Sequence, residues 1–407
     1  MKKTDARKRK KWIKFRHRVV RNIAYMILRP YVRLKYGVKI ERFREQERRP
    51  YLILTNHQTP FDQFFLGMAV KGPVYYLATE DIFSNGFVST LIRYLVAPIP
   101  IKKQTMDVKA VMTCLRVARE GGTIAIAPEG NRTYSGRTEY MSPAIAQLAR
   151  KMNMPILLFR IEGGYGAQPR WSDVVRKGKM RAYVSRVVSP EEYATLSDEE
   201  LFEIIKSTLY VNEACADGTF RHKRCAEYLE RLVYVCPFCG LSEFESHGDT
   251  VKCKSCSREV RYLPTKELSG VGFDFPYRFV ADWYDAQEAF VNKLDPTEHE
   301  LEPIFTDKAD VYEVIPYRKK RAVFTGAEVS LYGNRAQIRC SEGELCCNFG
   351  ECSALTVLGR NKLNIYFGDH VYQLKGSKRF NAIKYVHIYH RYKNVLKGEE
   401  NAKFLGL

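Results

Sequence analysis

Short apolar runs bounded by turn residues predict the strands of an α/β domain in the first half of the chain. Residues 51–55 (Tyr-Leu-Ile-Leu-Thr) and 123–127 (Thr-Ile-Ala-Ile-Ala) are two such runs. A run of this length can also be a buried helix, but the flanking breakers favour a strand. Gly121 and Gly122 precede the second run and end the helix predicted for residues 107–120. We therefore expect a mixed, mostly parallel sheet flanked by helices.

The pattern changes from about residue 270, where short alternating, β-rich segments recur. Turn residues such as Gly333-Asn334 and Gly368-Asp369 separate some of them, and a final helix is predicted for residues 380–394. We expect a β-barrel-like domain closed by a helix over residues 270–407. This architecture is similar to that of pleckstrin-homology domains, and both lipid binding and protein contact stay open. The predicted strands are residues 321–324, 328–332, 336–340, 354–358, 362–367 and 370–374.

The N-terminal region alternates apolar and basic residues. Between Trp12 and Leu34, apolar residues recur at spacings of three or four, as on one side of a helix. A cationic helix with one apolar side typically lies flat in an anionic lipid interface. The alternative is a solvated helix that docks on the domain, and a docked helix can still face lipid. We predict a membrane-associating arm over residues 1–40.

Charge and hydropathy favour a membrane surface as the partner of this arm. Residues 1–50 hold nineteen Lys and Arg against four Asp and Glu, so they carry +15 of the net charge of +20. Such an arm predicts an anionic partner, either a membrane or nucleic acid. Its apolar content favours the membrane, and nucleic acid is not the expected partner. No stretch reaches the roughly 18 apolar residues of a spanning helix, and no signal-peptide cleavage site is evident. We expect a cytoplasmic protein, peripheral on the cytoplasmic face.

Four of the eleven cysteines form two pairs with metal-site spacing. Cys236 and Cys239 are separated from Cys253 and Cys256 by thirteen residues. This spacing predicts a zinc ribbon in which four thiolates hold a structural zinc ion. A closed site of this kind leaves no open coordination position, so we expect no catalytic metal. Disulfides are the alternative and fit poorly with a cytoplasmic chain.

These patterns divide the 407 residues into several parts, with a connector rich in helix-compatible residues between the two larger domains. The predicted parts are the arm at 1–40, the α/β domain at 41–212, a helical connector at 213–232, the zinc ribbon at 233–263 and the β-rich domain at 270–407.

A histidine and an aspartate follow the first predicted strand. His57 and Asp62 stand five positions apart in Asn-His-Gln-Thr-Pro-Phe-Asp. Thr59 and Pro60 predict a helix start, so the turn can bring the imidazole to the carboxylate. An aspartate on one ring nitrogen fixes the tautomer and leaves the other nitrogen as a general base. The alternative is a capping box, in which Asp62 only binds helix amides.

A glycine turn with a fixed cation follows the second predicted strand, in residues 128–133 (Pro-Glu-Gly-Asn-Arg-Thr). Gly130 permits a positive φ, and Arg132 offers a planar fork of donors for phosphate. Lys102 and Lys103 add positive charge. The alternative is a polar loop with a solvated arginine. Because ligands bind at the carboxyl ends of parallel strands, we expect both segments to face one crevice.

Together these segments resemble the glycerolipid acyltransferases typified by 1-acylglycerol-3-phosphate acyltransferase. His57 and Asp62 match the family's histidine and aspartate, which have four residues between them. Lys103 stands where the family has an arginine. The resemblance covers roughly residues 15–210, so the α/β domain is predicted to be the acyltransferase domain. The family's Pro-Glu-Gly-Thr-Arg-Ser block is matched by Pro128, Glu129, Gly130 and Arg132, while Asn131 and Thr133 depart from it.

The resemblance implies transfer of a fatty acyl group from acyl-CoA or acyl-carrier protein to the hydroxyl of a lysophospholipid. The expected reaction converts 1-acylglycerol 3-phosphate to phosphatidic acid. In this reading His57 takes the hydroxyl proton and Asp62 orients His57. The residues expected to bind substrate are Glu129, Gly130, Arg132, Lys102 and Lys103.

Two other hypotheses stay open from the sequence. A cysteine nucleophile is the alternative chemistry, but Cys114 lies among apolar residues of a predicted helix and is expected in the core. The alternative function is a nucleic-acid- or partner-binding protein that uses the ribbon and the basic arm, with an inactive acyltransferase body. The acceptor headgroup and the acyl chain length are left open.

Overall fold

The structure, a computed structural model, describes residues 11–45, 49–101 and 107–399, together with Ala402 and Phe404. Its first half contains a seven-stranded sheet in the order β1-β7-β6-β2-β5-β3-β4. The β6–β7 pair is antiparallel and the other pairs are parallel, which confirms the predicted mixed, mostly parallel sheet. The strands are β1 (Val38–Ile40), β2 (Leu52–Thr55), β3 (Val74–Thr79), β4 (Ile99–Ile101), β5 (Thr123–Ile126), β6 (Ile156–Glu162) and β7 (Met180–Val188).

Helices cover both faces of this sheet. Leu52 and Leu54 of β2 belong to one apolar core, whereas Ile53 belongs to another, so both faces are packed. This explains why three consecutive residues of the strand, Leu52 to Leu54, are apolar instead of alternating with polar residues. The helices of this half are α1 (Phe15–Tyr36), α2 (Asp62–Ala69), α3 (Phe87–Val96), α4 (Val108–Arg119), α5 (Ala144–Met152), α6 (Gly164–Ala167), α7 (Pro190–Ala194) and α8 (Asp198–Leu209).

Helix α1 docks on the sheet through one side. His17, Val32 and Tyr36 are buried, and the His17 Nδ1 lies 3.0 Å from the Tyr75 hydroxyl. The opposite side of the helix keeps apolar residues in solvent. The part of the predicted arm at residues 1–10 lies outside the described residues. No helix in the described part of the chain is both long enough and apolar enough to cross a membrane.

The middle of the chain corrects one prediction. Residues 213–232 are not a helical connector, because they form turns and a single short 3-10 helix, Leu229–Arg231. Backbone hydrogen bonds tie this segment to distant loops, as between Arg221 and Lys177, so tertiary contacts override its helical propensity. The ribbon follows as a β8–β9 hairpin and a four-stranded antiparallel sheet. Its strands are β8 (Val235–Cys236), β9 (Gly240–Leu241), β10 (Phe244–His247), β11 (Thr250–Cys253), β12 (Glu259–Tyr262) and β13 (Leu268–Gly270).

The C-terminal part is a seven-stranded antiparallel sheet closed by a helix, as predicted. Its order is β17-β16-β15-β14-β20-β19-β18. The predicted segments 321–324 and 328–332 are one long strand, and helix α9 was not predicted, although its buried residues recur at helical spacing. The elements are α9 (Val280–Val291), β14 (Phe305–Glu313), β15 (Arg321–Leu331), β16 (Arg335–Cys340), β17 (Gly343–Asn348), β18 (Cys352–Leu358), β19 (Lys362–Phe367), β20 (His370–Gly376) and α10 (Ile383–Leu396).

One apolar core joins the two halves of the molecule. It runs through the ribbon, α9, the C-terminal sheet and α10, and it includes Tyr134 and Trp171 from loops of the first half. The C-terminal part therefore packs directly against the loops that follow β5 and β6.

Candidate active site

His57 and Asp62 are in direct contact. The His57 Nδ1 lies 2.8 Å from the Asp62 Oδ2, with the carboxylate buried and the imidazole 28% exposed. The tautomer that donates from Nδ1 to the carboxylate leaves Nε2 as an acceptor. The structure thus brings together the two residues that the sequence proposed as a pair.

Asp62 also binds the turn that holds His57. Its carboxylate accepts hydrogen bonds from the amides of Gln58 (2.6 Å) and Thr59 (2.9 Å) and from the Thr59 hydroxyl (2.6 Å). The capping geometry and the histidine contact, which the sequence offered as alternatives, therefore occur together. The helix itself begins at Asp62, later than predicted, because Thr59-Pro60-Phe61 forms a turn that the Thr59 side chain stabilises.

The loop after β5 is bonded to the loop after β2. The amide of His57 donates to the Glu129 Oε1 at 2.9 Å, and the amide of Thr133 donates to the His57 carbonyl at 3.1 Å. The amide of Glu139 donates to the second oxygen of Glu129 at 3.0 Å. Because β2 and β5 are neighbours, both loops leave the same edge of the sheet. The predicted shared crevice is present.

Gly130 and Arg132 differ in how they fit the sequence prediction. Gly130 has φ 68°, and a Cβ added at this position would meet no atom within 4 Å. The backbone conformation, and not a lack of room for a side chain, therefore requires glycine here. We expected Gly130 to bind substrate, but its amide donates to the Ala127 carbonyl at 3.0 Å and is not free to bind a phosphate. Arg132 is buried instead of solvated. Burial lowers the pKa of its guanidinium to about 9, with further lowering by the charges of Arg170 and Arg360.

A cavity of about 1020 Å³ is lined by His57, Asp62, Gly130 and Arg132. Helices α1, α2, α3 and α4 supply mostly apolar side chains to its other walls. Lys102 and Lys103 lie outside the described residues. Cys114 is in the core, as expected, and burial raises the pKa of its thiol to about 12, which disfavours a thiolate nucleophile.

Comparison with known proteins matches part of the first half of the chain. A family model described as Acyltransferase matches residues 37–162, about a third of the chain. These residues are therefore similar to acyltransferase-family domains. Both loops that line the cavity around His57 and Arg132 lie inside this range.

Two individual proteins are similar to the chain. It is 21% identical over 173 residues to the 1-acyl-sn-glycerol-3-phosphate acyltransferase of Bacillus subtilis (strain 168), with 41% of this chain and 81% of that protein covered. It is also similar to the solved structure of the 1-acyl-sn-glycerophosphate (LPA) acyltransferase PlsC from Thermotoga maritima. There the identity is 23% and the TM-score 0.40, over 48% of this chain and 78% of that chain.

Residues outside the acyltransferase-family match contact the loop that carries Arg132, and sequence reasoning missed them. Arg170 donates from Nη1 to the Arg132 carbonyl (3.0 Å) and from Nε to the Gly359 carbonyl (3.0 Å). Its guanidinium stacks on the Tyr134 ring, 3.8 Å from the ring centroid. Backbone carbonyls leave no motif in a sequence, so no sequence signal points to these contacts of Arg170.

The four-cysteine cluster has the dimensions of a metal site. All four Sγ atoms lie within 4.8 Å of one another, and the Cys236–Cys256 and Cys239–Cys253 pairs are 3.7 and 3.5 Å apart. Four thiolates about 2.3 Å from a tetrahedral ion are separated by roughly 3.8 Å. The cluster can therefore hold a metal ion with only small shifts of the sulfur atoms.

The buried Glu129 predicts a pH dependence of stability. Burial raises the pKa of its carboxyl to about 8, against the lowering effect of the amides of Glu139 and His57. The folded chain then keeps a proton that the unfolded chain releases near pH 4.5. The free energy of unfolding therefore falls as pH rises between about 5 and 8, by up to about 1.4 kcal/mol per pH unit. Urea unfolding of Glu129→Gln and of the native sequence across this range should give a shallower slope for the variant. Equal slopes would contradict the prediction.

Proposed function

We propose that this chain is a membrane-associated acyltransferase that moves a fatty acyl group from acyl-CoA or acyl-carrier protein to a lysophospholipid hydroxyl. The preferred acceptor is 1-acylglycerol 3-phosphate, and the product is phosphatidic acid. The observation that carries this proposal is the His57–Asp62 contact in a cavity that also contains a buried arginine. The similarity to the Bacillus subtilis enzyme supports the choice of acceptor.

The geometry assigns a direction to proton transfer. Because the His57 Nδ1 faces Asp62, the Nε2 accepts the proton of the acceptor hydroxyl as its oxygen attacks the thioester carbonyl. A C–O bond forms and the C–S bond breaks. The proton then passes from Nε2 to the leaving thiolate. Asp62 keeps the ring oriented and stabilises the imidazolium that forms between these two steps.

The other residues of the cavity are assigned to binding either the acceptor or the acyl chain. Arg132 would hold the acceptor phosphate, which aligns the hydroxyl beside His57. The apolar walls from α1 to α4 would take the acyl chain. Glu129 is used differently from our expectation, since its two carboxylate oxygens bind backbone amides and no described contact joins it to Arg132. Its part in the proposal is to hold the two loops together.

Membrane association is supported by two adjacent helices that leave apolar side chains in solvent. Phe15 and Leu34 of α1 are 79% and 87% exposed, and Phe87 of α3 is 79% exposed. Arg16 of α1 donates to the carbonyl of Tyr94 in α3 at 2.7 Å, which places the helices side by side. Both helices also line the cavity. An acyl chain could then enter from the lipid on the cytoplasmic face, where anionic lipids attract the basic arm.

Activity measurements test the chemistry. In purified protein with 1-acylglycerol 3-phosphate and acyl-CoA, His57→Ala should lower kcat by about 10²–10⁴-fold, because the general base is removed. Arg132→Ala should mainly raise the KM for the phosphorylated acceptor. His247→Ala, an exposed histidine of the ribbon, is the matched control. Full activity of His57→Ala in folded protein would remove histidine from the mechanism.

Flotation with liposomes tests the membrane proposal. Phe87→Glu should weaken binding to anionic liposomes by about tenfold or more, because an apolar contact is replaced by a charge that the anionic surface repels. Leu301→Glu, at a residue 92% exposed elsewhere, is the control. Salt-sensitive DNA binding without liposome binding would favour the nucleic-acid alternative.

We further propose that zinc occupies the four-cysteine cluster as a structural ion, since closed four-thiolate sites are typical of structural zinc. Elemental analysis should find about one zinc per chain. Cys239→Ser should lose the metal and lower the free energy of unfolding by several kcal/mol, because metal binding is coupled to folding. Cys215→Ser, at an exposed cysteine outside the cluster, should retain both the metal and the free energy of unfolding of the native chain. A metal-free native protein of full stability would contradict the proposal.

A further inference from the structure

The guanidinium of Arg132 is incompletely bonded. Its Nη2 donates to the Gly359 carbonyl at 3.4 Å, whereas its Nη1 is buried and has no hydrogen-bond partner among the described residues. The side chain is only 8% exposed and lines the cavity beside His57 and Asp62. A buried charged donor without a partner is strongly unfavourable. An anionic acceptor in the cavity would remove this penalty.

The turn between β18 and β19 lies at the same cavity and carries a second cation, Arg360. Leu358 and Gly359 line the cavity, and Gly359 has the positive φ of 65° that the turn requires. Arg360 follows. Its Nη1 pairs with Asp173 at 2.9 Å, but its Nε is buried without a hydrogen-bond partner in the described structure. Arg132 and Arg360, one from each half of the molecule, thus each have one buried guanidinium nitrogen without a partner in the described structure, and Arg132 contacts Gly359, the residue next to Arg360.

The charge of Arg360 acts on two of the groups around the cavity. The charge of Arg360 helps to lower the pKa of Arg132 after the larger effects of burial and Arg170. The pKa of Tyr36 is raised first by burial and then by Asp62, and is lowered by both Arg360 and Arg132. Asp62, Arg132 and Arg360 thus all act on one tyrosine hydroxyl. Asp173 is the carboxylate that pairs with Arg360, and it is shared with Arg231.

Arg170 joins the backbones of the two segments that carry these cations. Its three donor groups bind the carbonyls of Arg132, Val357 and Gly359 at 2.8–3.0 Å, so it joins the loop after β5 to the end of β18. All of its hydrogen bonds are to backbone carbonyls, its ring contact is with Tyr134, and its pKa is lowered by burial. It also lines the cavity, and its hydrogen bonds position the two segments that carry Arg132 and Arg360.

We propose that Arg132 and Arg360 form an anion subsite built from both halves of the molecule, with Arg170 as its positioning residue. Two guanidinium groups suit a phosphate monoester, which presents three oxygens and up to two negative charges. Resting on the proposed function, this subsite selects acceptors with a terminal phosphate over neutral monoacylglycerols. The C-terminal sheet is then part of the acceptor site and not only an appended module.

Equilibrium binding tests the subsite without turnover. The full chain carrying His57→Ala would be titrated with short-chain 1-acylglycerol 3-phosphate and with the matching monoacylglycerol. Adding Arg360→Ala should weaken binding of the phosphorylated ligand by about tenfold or more, the effect of one lost charge-assisted hydrogen bond. Binding of the neutral ligand should not change. Arg360→Lys keeps the charge and the Asp173 partner, so it should recover part of the affinity.

The control is Arg339→Ala, which removes an exposed arginine of the same sheet that pairs with Glu344 at 3.3 Å. Arg170→Gln should act like Arg360→Ala and, in the otherwise native chain, should raise the acceptor KM more than it lowers kcat. If Arg360→Ala and Arg339→Ala bind the phosphorylated ligand equally, the subsite is refuted. A native chain that transfers no acyl group, yet shows the Arg360-dependent preference for phosphate, would refute the proposed function and retain the subsite.

Discussion

The carboxylate of Glu129 is the link on which the geometry of the site depends. It accepts one hydrogen bond from the amide of His57 and one from the amide of Glu139, and so ties the turn after β2 to the loop after β5. Burial disfavours its charged form and raises its pKa to about 8, although the two donor amides stabilise the carboxylate. Glu129 takes no direct part in the proposed reaction. Through these two hydrogen bonds it nevertheless sets the position of His57 relative to Arg132.

Asp62 combines two functions that sequence reasoning treats as competitors. The same carboxylate closes the turn at residues 57–59 and holds the imidazole of His57. The turn therefore cannot open without loosening the ring, and the ring cannot rotate without giving up a partner of a buried charge. Local folding and side-chain orientation are thus stabilised by the same contacts, which favours a preorganised pair.

The predictable and unpredictable parts of this site differ in their physical origin. The strands before His57 and Glu129, their order and their shared edge follow from apolar runs and turn residues, which act locally. The start of α2 was misplaced because the Thr59 side chain stabilises a turn where a helix was expected. Arg170 and Gly359 meet across 189 positions through a backbone carbonyl, and no spacing or residue type encodes such a contact. Helix α9 was missed because its aromatic residues also suit strands.

The contacts of Arg170 bear on how this protein can change during evolution. Its acceptors in the C-terminal half are the carbonyls of Val357 and Gly359, which any residue with the same backbone conformation could supply. Mutation of the turn side chains would leave these acceptors in place, whereas insertion or deletion of one residue would displace them. Among homologues that share both halves, we expect the length of the β18–β19 turn, Gly359 and Arg360 to be conserved more strictly than the other turn residues, together with an arginine at position 170.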